Sequence, residues 1–452
     1  MELTLDLLKA NLDTVWVLTT GALVFWMNAG FACVEAGFCR AKNVVHVMAM
    51  NYIIIAATSV AFWTLGFGFM FGNGNSFIGT TGFFPDLLDR SLFTSITGAS
   101  AASLGALFFF QMVFADTAGT ILSGVVAERM KFSAYLLFAL FMGMFLYPVT
   151  GHWIWGGGWL STMGFHDFAG STVVHSIGGW VGLTGTIMVG ARIGKYDREG
   201  KPRVIAAHSF PLVALGAFIL WLGWFGFNPG STLAADGKSI GHIFMTTNMA
   251  GAASTFSAMI LAWYQSRKID FGIIVNGTLA GLVAITAPCD TVSIAGAVAI
   301  GAIAGVLATF AVPIFDRLHL DDPVGALSVH LVNGIWGTLA VGIFGTKLSS
   351  VGAIDGLLYG GGIGPVITQL TGILAVGAYT VLGSFVLWAI VGKVLGGLRV
   401  PMADELRGLD VPDHGALGYV MQEDSAILSV IEQDLAAARL REPMPAPALS
   451  TH

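Results

Sequence analysis

Long apolar stretches alternate with short polar connections along most of the 452 residues. Each stretch is close to or longer than the roughly 20 residues that an α-helix needs to cross a bilayer. The pattern therefore predicts an all-α membrane protein with eleven transmembrane helices. The predicted spans are 14–38, 44–72, 98–127, 132–155, 170–191, 204–228, 243–265, 271–289, 292–315, 323–345 and 366–397.

Positive charge is distributed unequally between the two alternating sets of connections. One set carries fourteen Lys and Arg side chains, from Arg40 to Arg399. The other set, together with the N-terminus, carries only Lys9, Arg90, Lys238 and Lys347. Because Lys and Arg concentrate in cytoplasmic loops, the N-terminus is predicted outside and the C-terminus inside. Opposite termini require an odd number of helices, and eleven satisfies this.

Two segments of the chain share a pattern of residues. DFAGSTVVHSIGGWVG begins at Asp167 and DPVGALSVHLVNGIWG begins at Asp322; both have His eight residues later and Gly at three, twelve and fifteen. The charge rule puts the first segment's start outside and the second's inside, which indicates an inverted-topology repeat. A weaker match joins AGTILSGVVA (118–127) to NGTLAGLVA (276–284). Helices 1–5 and 6–10 then form two halves, and helix 11 at 366–397 is an addition.

Composition restricts the class of protein. Hydrophobic residues make up 55% and charged residues 11%, whereas soluble proteins carry roughly 25% charged residues. An ordinary soluble enzyme is excluded, and a net charge of -6 without a basic patch gives no reason to expect nucleic acid. We divide the chain into a membrane domain, 1–400, and a cytosolic tail, 401–452, whose end EPMPAPALSTH is predicted to be disordered.

His175 and His330 occupy equivalent positions in the two repeated segments. Inverted repeats place their shared site near the middle of the membrane, where an ionisable group is costly and usually functional. Three interpretations are open at this point. The pair could fasten helices by hydrogen bonds, ligate haem, or line a path for protons or a small molecule, because imidazole titrates near neutral pH.

Three carboxylates accompany these histidines. Asp167 and Asp322 lie two turns before the histidines, at helix starts, where a carboxylate caps free N–H groups. Asp116 differs, since it lies inside the apolar third helix. It could pair within the bundle or take part in a relay.

Several of these segments, in this order, resemble the ammonium transporter family (Amt/MEP/Rh), and within it the Amt branch. The resemblance covers nearly the whole chain. It rests on DFAGSTVVH at 167, GWFGFNPGS at 223, NGTLAGLVAITAPCD at 276, DDPVGALSVH at 321 and ELRGLDVPDHG at 405.

The resemblance implies a homotrimeric channel for ammonium or ammonia in the cytoplasmic (inner) membrane, with one pore per subunit. Methylammonium would be a substrate analogue, and nitrogen uptake the role. No enzymatic activity, cofactor or metal is implied, and a cytosolic PII-type regulator is a candidate partner. The residues that match the family's site are Trp155, Phe114 and Ser231 for recruitment, Phe114 and Phe227 for the gate, Asp167 for the vestibule carboxylate, and His175 and His330 for the twin histidines.

Two alternative functions remain beside transport. A sensor would report ammonium through the tail, although no output domain follows residue 400. A Rh-like gas channel is the other, but the wording of GWFGFNPGS and DFAGSTVVH favours the Amt branch. Whether ammonia, ammonium, or ammonia plus a proton crosses the membrane is left open by the sequence.

Overall fold

The computed structural model describes residues 4–347, 354–419 and 429–434, so the segment predicted to be disordered lies outside the described residues. Within these ranges the chain is helical and has no β-strand, only three isolated bridges. Eleven long helices follow one another: α1 Leu5–Phe38, α2 Ala41–Phe71, α3 Leu104–Val126, α4 Phe132–Thr162, α5 Ser171–Val189, α6 Phe210–Gly230, α7 Gly237–Ser266, α8 Phe271–Thr286, α9 Ile294–Arg317, α10 Leu327–Phe344 and α11 Gly364–Val394.

Nine of these helices in the described part of the chain are long and apolar enough to cross a bilayer. The other two are α7 and α8. Helix α8 is apolar but has only 16 residues. Helix α7 has 30 residues and is interrupted by polar side chains such as Thr246 and Thr247. The all-helical membrane architecture predicted from the sequence is confirmed.

Four helix starts differ from the predicted spans by six residues or more because capping side chains, rather than apolarity, set them. Helix α3 begins at Leu104 instead of residue 98, after the Ser103 cap, and α7 begins at Gly237 instead of residue 243, after the Asp236 cap. Helix α1 begins at Leu5 instead of residue 14, since the Thr4 hydroxyl accepts from the Leu7 N–H at 3.2 Å. Helix α6 begins at Phe210 instead of residue 204, where Ser209 caps and Pro211 occupies the first turn. The residues before the predicted span are therefore helical in α1, whereas residues 204–209 form a loop before α6.

Several helices at equivalent positions of the two predicted halves make equivalent contacts. Helices α1 and α6, first in each half, pack against each other, and a Cβ at Gly216 would lie only 2.5 Å from the Gly30 carbonyl oxygen. Helix α3 packs on α5 as α8 packs on α10, and α11 contacts both α5 and α10. Small residues allow this close approach, which stabilises helix pairs in lipid.

Both histidine-bearing helices begin with a π-helical turn. Ser171–Ser176 opens α5 and Leu327–Val332 opens α10. Such turns insert an extra residue into the helical repeat and are frequent at functional sites. Here they place His175 and His330 at equivalent points of the two helices.

Candidate functional site

Asp167 and Asp322 hold the starts of the two histidine helices. The Asp167 carboxylate accepts from four backbone N–H groups, of Gly170, Ser171, Thr172 and Val173, at 2.8–2.9 Å. The Asp322 carboxylate accepts from three in the same way. The predicted capping role of both aspartates is therefore confirmed, and it fixes the first turn of each helix.

The capped turns bring the two imidazoles into contact. The Nδ1 atoms of His175 and His330 are 3.2 Å apart, and the ring centroids are 5.3 Å apart with planes inclined by 21°. Both side chains are buried, and His175 Nε2 has no hydrogen-bond partner among the described residues. Imidazole nitrogens in direct contact leave no space for a porphyrin between them, which removes the haem interpretation.

Glycines one turn after each histidine make this contact possible. A Cβ at Gly179 would lie 2.7 Å from atoms of Leu331, and one at Gly334 would lie 2.6 Å from the Ser171 carbonyl oxygen. Each glycine thus packs against the histidine segment of the opposite half. These glycines therefore allow the two histidine segments to approach closely.

A cavity of about 250 Å³ lies on one side of the pair, and Trp155, Phe114, Ser231 and Gln111 are among its lining residues. The Trp155 indole N–H donates to the Asp167 carbonyl oxygen at 2.7 Å, so the cap and the cavity wall are connected. The Ser231 hydroxyl donates to the Phe227 carbonyl oxygen at 2.8 Å. Its oxygen remains able to accept from a ligand. The three residues matched to recruitment therefore line one cavity.

Two stacked phenylalanine rings separate this cavity from the histidines. The centroids of Phe114 and Phe227 are 4.0 Å apart at an interplanar angle of 23°. The Phe227 ring lies 5.4 Å from the His175 ring at 28°, and Trp224 flanks the same imidazole at 5.4 Å. Both phenylalanines are at most 1% exposed, so the two rings leave almost no surface open to solvent.

A smaller cavity of about 20 Å³ lies beyond His330 and is lined in part by Phe31, Glu35 and Asn276. The Phe31 ring lies 5.8 Å from the His330 ring. The larger cavity, the phenylalanine stack, the histidine pair and the smaller cavity therefore adjoin one another in this order.

Comparison with known proteins identifies the family of the chain. A model of the Ammonium Transporter Family matches residues 15–419. The chain belongs to the ammonium transporter family. It is 44% identical to the ammonium transporter Amt2 of Archaeoglobus fulgidus, over 92% of this chain and 90% of that protein. It is 37% identical to a putative ammonium transporter of Synechocystis, over 89% and 88%.

Solved structures of the ammonium transporter family have the same fold. The structure named Sensor Amt Protein superposes with a TM-score of 0.82 at 39% identity, covering 90% of this chain and 99% of that one. Candida albicans Mep2 also gives 0.82, at 24% identity, covering 93% and 95%. The first similarity extends to the sequence, whereas the second shows the fold alone.

Sequence reasoning left Asp116 of this ammonium transporter unassigned, and the structure pairs it within the bundle. Its carboxylate accepts from the Asn28 amide, whose oxygen accepts from the Thr120 hydroxyl at 3.1 Å. Two turns further along α1, Glu35 accepts from Asn51 and Ser123, both at 2.7 Å. These polar contacts join α1, α2 and α3 beside the histidine line. The partners Asn28 and Asp116, like Glu35 and Ser123, are 88 positions apart, so no periodic pattern in the sequence reveals that they pair.

A buried ionic cluster on the predicted inner face of the transporter was also missed, because its cation, Arg192, was counted only as a loop charge. Arg192 contacts Glu128 at 2.9 Å and Asp321 at 2.8 Å, and all three side chains are at most 3% exposed. Burial acts to raise the pKa of Asp321, but the hydrogen bonds and charge of Arg192 outweigh it and hold that pKa well below its usual range. The cluster joins the ends of α3 and α5 to the start of α10.

Proposed function

We propose that this chain conducts ammonium through the line of cavities and rings described above, with net movement of charge. The observation that carries the proposal is the uninterrupted sequence from Trp155 through the Phe114–Phe227 stack to the His175–His330 pair. In the proposed topology α7 and α8 also cross the membrane, which gives eleven transmembrane helices. Helices α1–α5 and α6–α10 are inverted halves, with the N-terminus outside and the C-terminus inside.

The cavity lined by Trp155, Phe114 and Ser231 is the proposed recruitment site. An ammonium ion that enters an apolar pore must lose water, which is costly without replacement partners. Aromatic ring faces attract a desolvated cation, and the Ser231 oxygen accepts one of its hydrogens. These groups replace part of the lost hydration at the mouth. Phe114 and Phe227 then act as the gate.

The histidine pair favours a neutral species beyond the gate. Neither buried imidazole is hydrogen-bonded to a carboxylate among the described residues, so the pair stabilises a cation poorly, whereas ammonia can donate to and accept from their nitrogens. The ammonium ion therefore gives up one proton and passes as ammonia. The proton crosses separately, through the imidazoles or a chain of water, and recombines with ammonia on the inner side. Potassium has no proton to give up and is excluded.

The proposed setting of this activity is the cytoplasmic membrane. The chain is proposed to assemble as a homotrimer with a separate pore in each subunit, with 1–400 in the membrane and the tail, 401–452, on the cytosolic side. There the tail and inner loops would meet a PII-type regulatory protein. In support, the tail packs on the loop ends: the Leu409 N–H donates to Asn43 at 2.9 Å, and Glu405 accepts from the Ile193 N–H at 2.7 Å.

Electrical recording on purified protein tests this function. Vesicles containing the full-length chain are adsorbed to a solid-supported membrane and exposed in turn to ammonium, methylammonium and potassium. We expect currents with the first two and none with potassium. Ammonium uptake without current would replace charge movement by a gas-channel function. Ammonium binding with neither uptake nor current would favour a sensor.

A further inference from the structure

Three side chains with metal-binding atoms meet where the tail contacts the start of α2. His46 belongs to the first turns of α2, and Asp413 and His414 belong to the short helix Asp410–His414. His46 Nδ1 lies 3.1 Å from an Asp413 carboxylate oxygen and 3.3 Å from His414 Nε2. One donor atom from each residue falls within 4.8 Å of the others. The residues come from segments more than 360 positions apart.

The spacing of these atoms fits a tetrahedral cation. Zinc binds imidazole nitrogen at about 2.0–2.1 Å and carboxylate oxygen at about 2.0–2.2 Å, so neighbouring ligand atoms in a tetrahedron lie roughly 3.3 Å apart. The observed contacts of 3.1 Å and 3.3 Å agree with that edge length. Two imidazoles and one carboxylate also form a typical three-residue zinc set that leaves one position for water.

Hydrogen bonding alone accounts less well for the cluster. His46 Nδ1 faces both the Asp413 oxygen and His414 Nε2, but it can carry only one hydrogen. A cation placed among the three atoms satisfies all of them through their lone pairs.

The surroundings suit a positively charged ligand. Asp410 accepts from the His46 backbone N–H at 3.0 Å, and its second carboxylate oxygen is buried without a hydrogen-bond partner in the described part of the chain. The ammonium of Lys131, which lines the adjoining cavity, donates to the Leu395 carbonyl oxygen at 3.0 Å. A cavity of about 680 Å³, lined by Lys131, Asp413 and His414 among others, leads to the cluster. It provides an access route and room for a coordinating water.

We propose that His46, Asp413 and His414 bind a divalent transition-metal ion of the zinc class, which fastens the tail to the start of α2. The same surface already holds the tail by protein contacts. Lys42 donates to the Glu405 and Leu406 carbonyl oxygens, and a Cβ at Gly408 would lie 2.5 Å from the Lys42 carbonyl oxygen. The metal adds a clamp to this contact, so its occupancy changes how firmly the tail is held. This inference does not depend on the transport proposal.

Metal binding by the full-length purified protein tests the site. Zinc binding is measured by competition with a chromophoric chelator for the wild type, His46→Asn and His414→Gln, with His319→Gln as the matched histidine control. We expect one zinc per chain in the wild type and the control. Removing a residue that only hydrogen-bonds to a metal ligand weakens metal affinity about 10- to 100-fold. Removing a ligand itself should therefore weaken zinc binding at least tenfold. His46 is buried, and the half-buried His414 therefore provides the variant less prone to misfolding.

The absorption spectrum of bound cobalt distinguishes metal binding at this cluster from metal binding at the cysteines. Cobalt bound by two imidazoles and a carboxylate gives visible bands without a thiolate charge-transfer band, whereas binding at Cys33, Cys39 or Cys289 would produce that band. Trypsin cleavage at the exposed Arg407 should slow with zinc in the wild type and not in His414→Gln. The proposal would be overturned if the wild type does not bind zinc stoichiometrically, or if His46→Asn and His414→Gln both bind zinc as tightly as the wild type. A thiolate band in the cobalt spectrum would also overturn it.

Discussion

His175 Nδ1 lies 3.2 Å from His330 Nδ1, although the two residues are 155 positions apart. A hydrogen bond between two Nδ1 atoms requires that only one of them carries a hydrogen. The rings therefore act as one donor–acceptor unit, and a proton added to one nitrogen must be shared with or displaced from the other. One histidine alone cannot form this donor–acceptor unit, because the contact needs the equivalent π-helical turns at the starts of both α5 and α10.

Trp155 tests whether recruitment depends on an aromatic face. Trp155→Leu removes the ring, and a cation–π contact contributes about 0.5–2 kcal/mol, so the KM for ammonium should rise roughly 2- to 30-fold with a smaller change in maximal rate. Trp155→Phe keeps a ring but loses the 2.7 Å hydrogen bond to the Asp167 carbonyl. It should lie between the wild type and Trp155→Leu in concentration-dependent currents. A KM for Trp155→Leu equal to that of the wild type would contradict cation–π recruitment.

Asp167 tests whether the vestibule carboxylate is primarily a cap. Its two oxygens accept four backbone N–H groups. In Asp167→Asn an NH₂ group would face two of those donors, and each unsatisfied buried donor costs about 1–3 kcal/mol. We expect a lower melting temperature together with loss of uptake, and a similar fall in melting temperature for Asp322→Asn. Lost uptake in Asp167→Asn at an unchanged melting temperature would instead show a chemical role for the carboxylate.

Asp116 is expected to stabilise the bundle rather than conduct. Its carboxylate is hydrogen-bonded to Asn28 on α1, and Asp116→Asn preserves shape and can still accept from that amide. Ammonium current in Asp116→Asn should stay within about twofold of the wild type, since the contact it alters is a single hydrogen bond of about 1 kcal/mol. A current reduced more than tenfold, in protein with a normal melting temperature, would place Asp116 in a proton route.

The ionic cluster around Arg192 makes stability depend on pH. Asp321 has a depressed pKa in the folded protein, so its contribution is present above the unfolded value of about 3.9 and is lost as pH falls through the lower folded value. Arg192→Met leaves Glu128 and Asp321 buried without this partner, which costs about 3–5 kcal/mol near pH 7.

That penalty should shrink on acidification. Without Arg192, burial acts to raise the pKa of Asp321, whereas Glu128 keeps its ion pair with Arg40. Lowering the pH from 7.5 to 5 therefore protonates more of Asp321 and reduces the cost. The gap in melting temperature between wild type and Arg192→Met should be larger at pH 7.5 than at pH 5. Arg198→Met, at an exposed residue of the same loop, is the control and should match the wild type at both pH values. A gap that widens on acidification would contradict this account.

The sequence predicted what a local pattern can encode. Apolar length located the helices, and the Asp–Gly–His register selected His175 and His330, which do meet. It did not predict the start of α1, because Asp13 is polar yet buried within the helix and accepts from the Ala235 N–H at 2.8 Å. An apolarity pattern detects only the part of a helix that faces lipid or core.

Contacts between distant segments were out of reach for the same reason. Trp224 and Phe31 flank the histidines, but aromatic residues on apolar helices are common and carry no marker of their partner. Arg192 looked like an ordinary loop charge until the structure placed it between Glu128 and Asp321. No local pattern links His46 to Asp413 and His414, because these partners lie in the tail.

The most direct measurement is the ammonium-evoked current of purified protein on a solid-supported membrane, comparing wild type with His175→Ala and His330→Ala. His319→Ala, which alters a histidine outside the pair, is the matched control, and melting temperatures verify that each variant is folded. The proposed mechanism predicts no current in either pair variant and a normal current in the control. A current of wild-type size in His175→Ala or His330→Ala would contradict it.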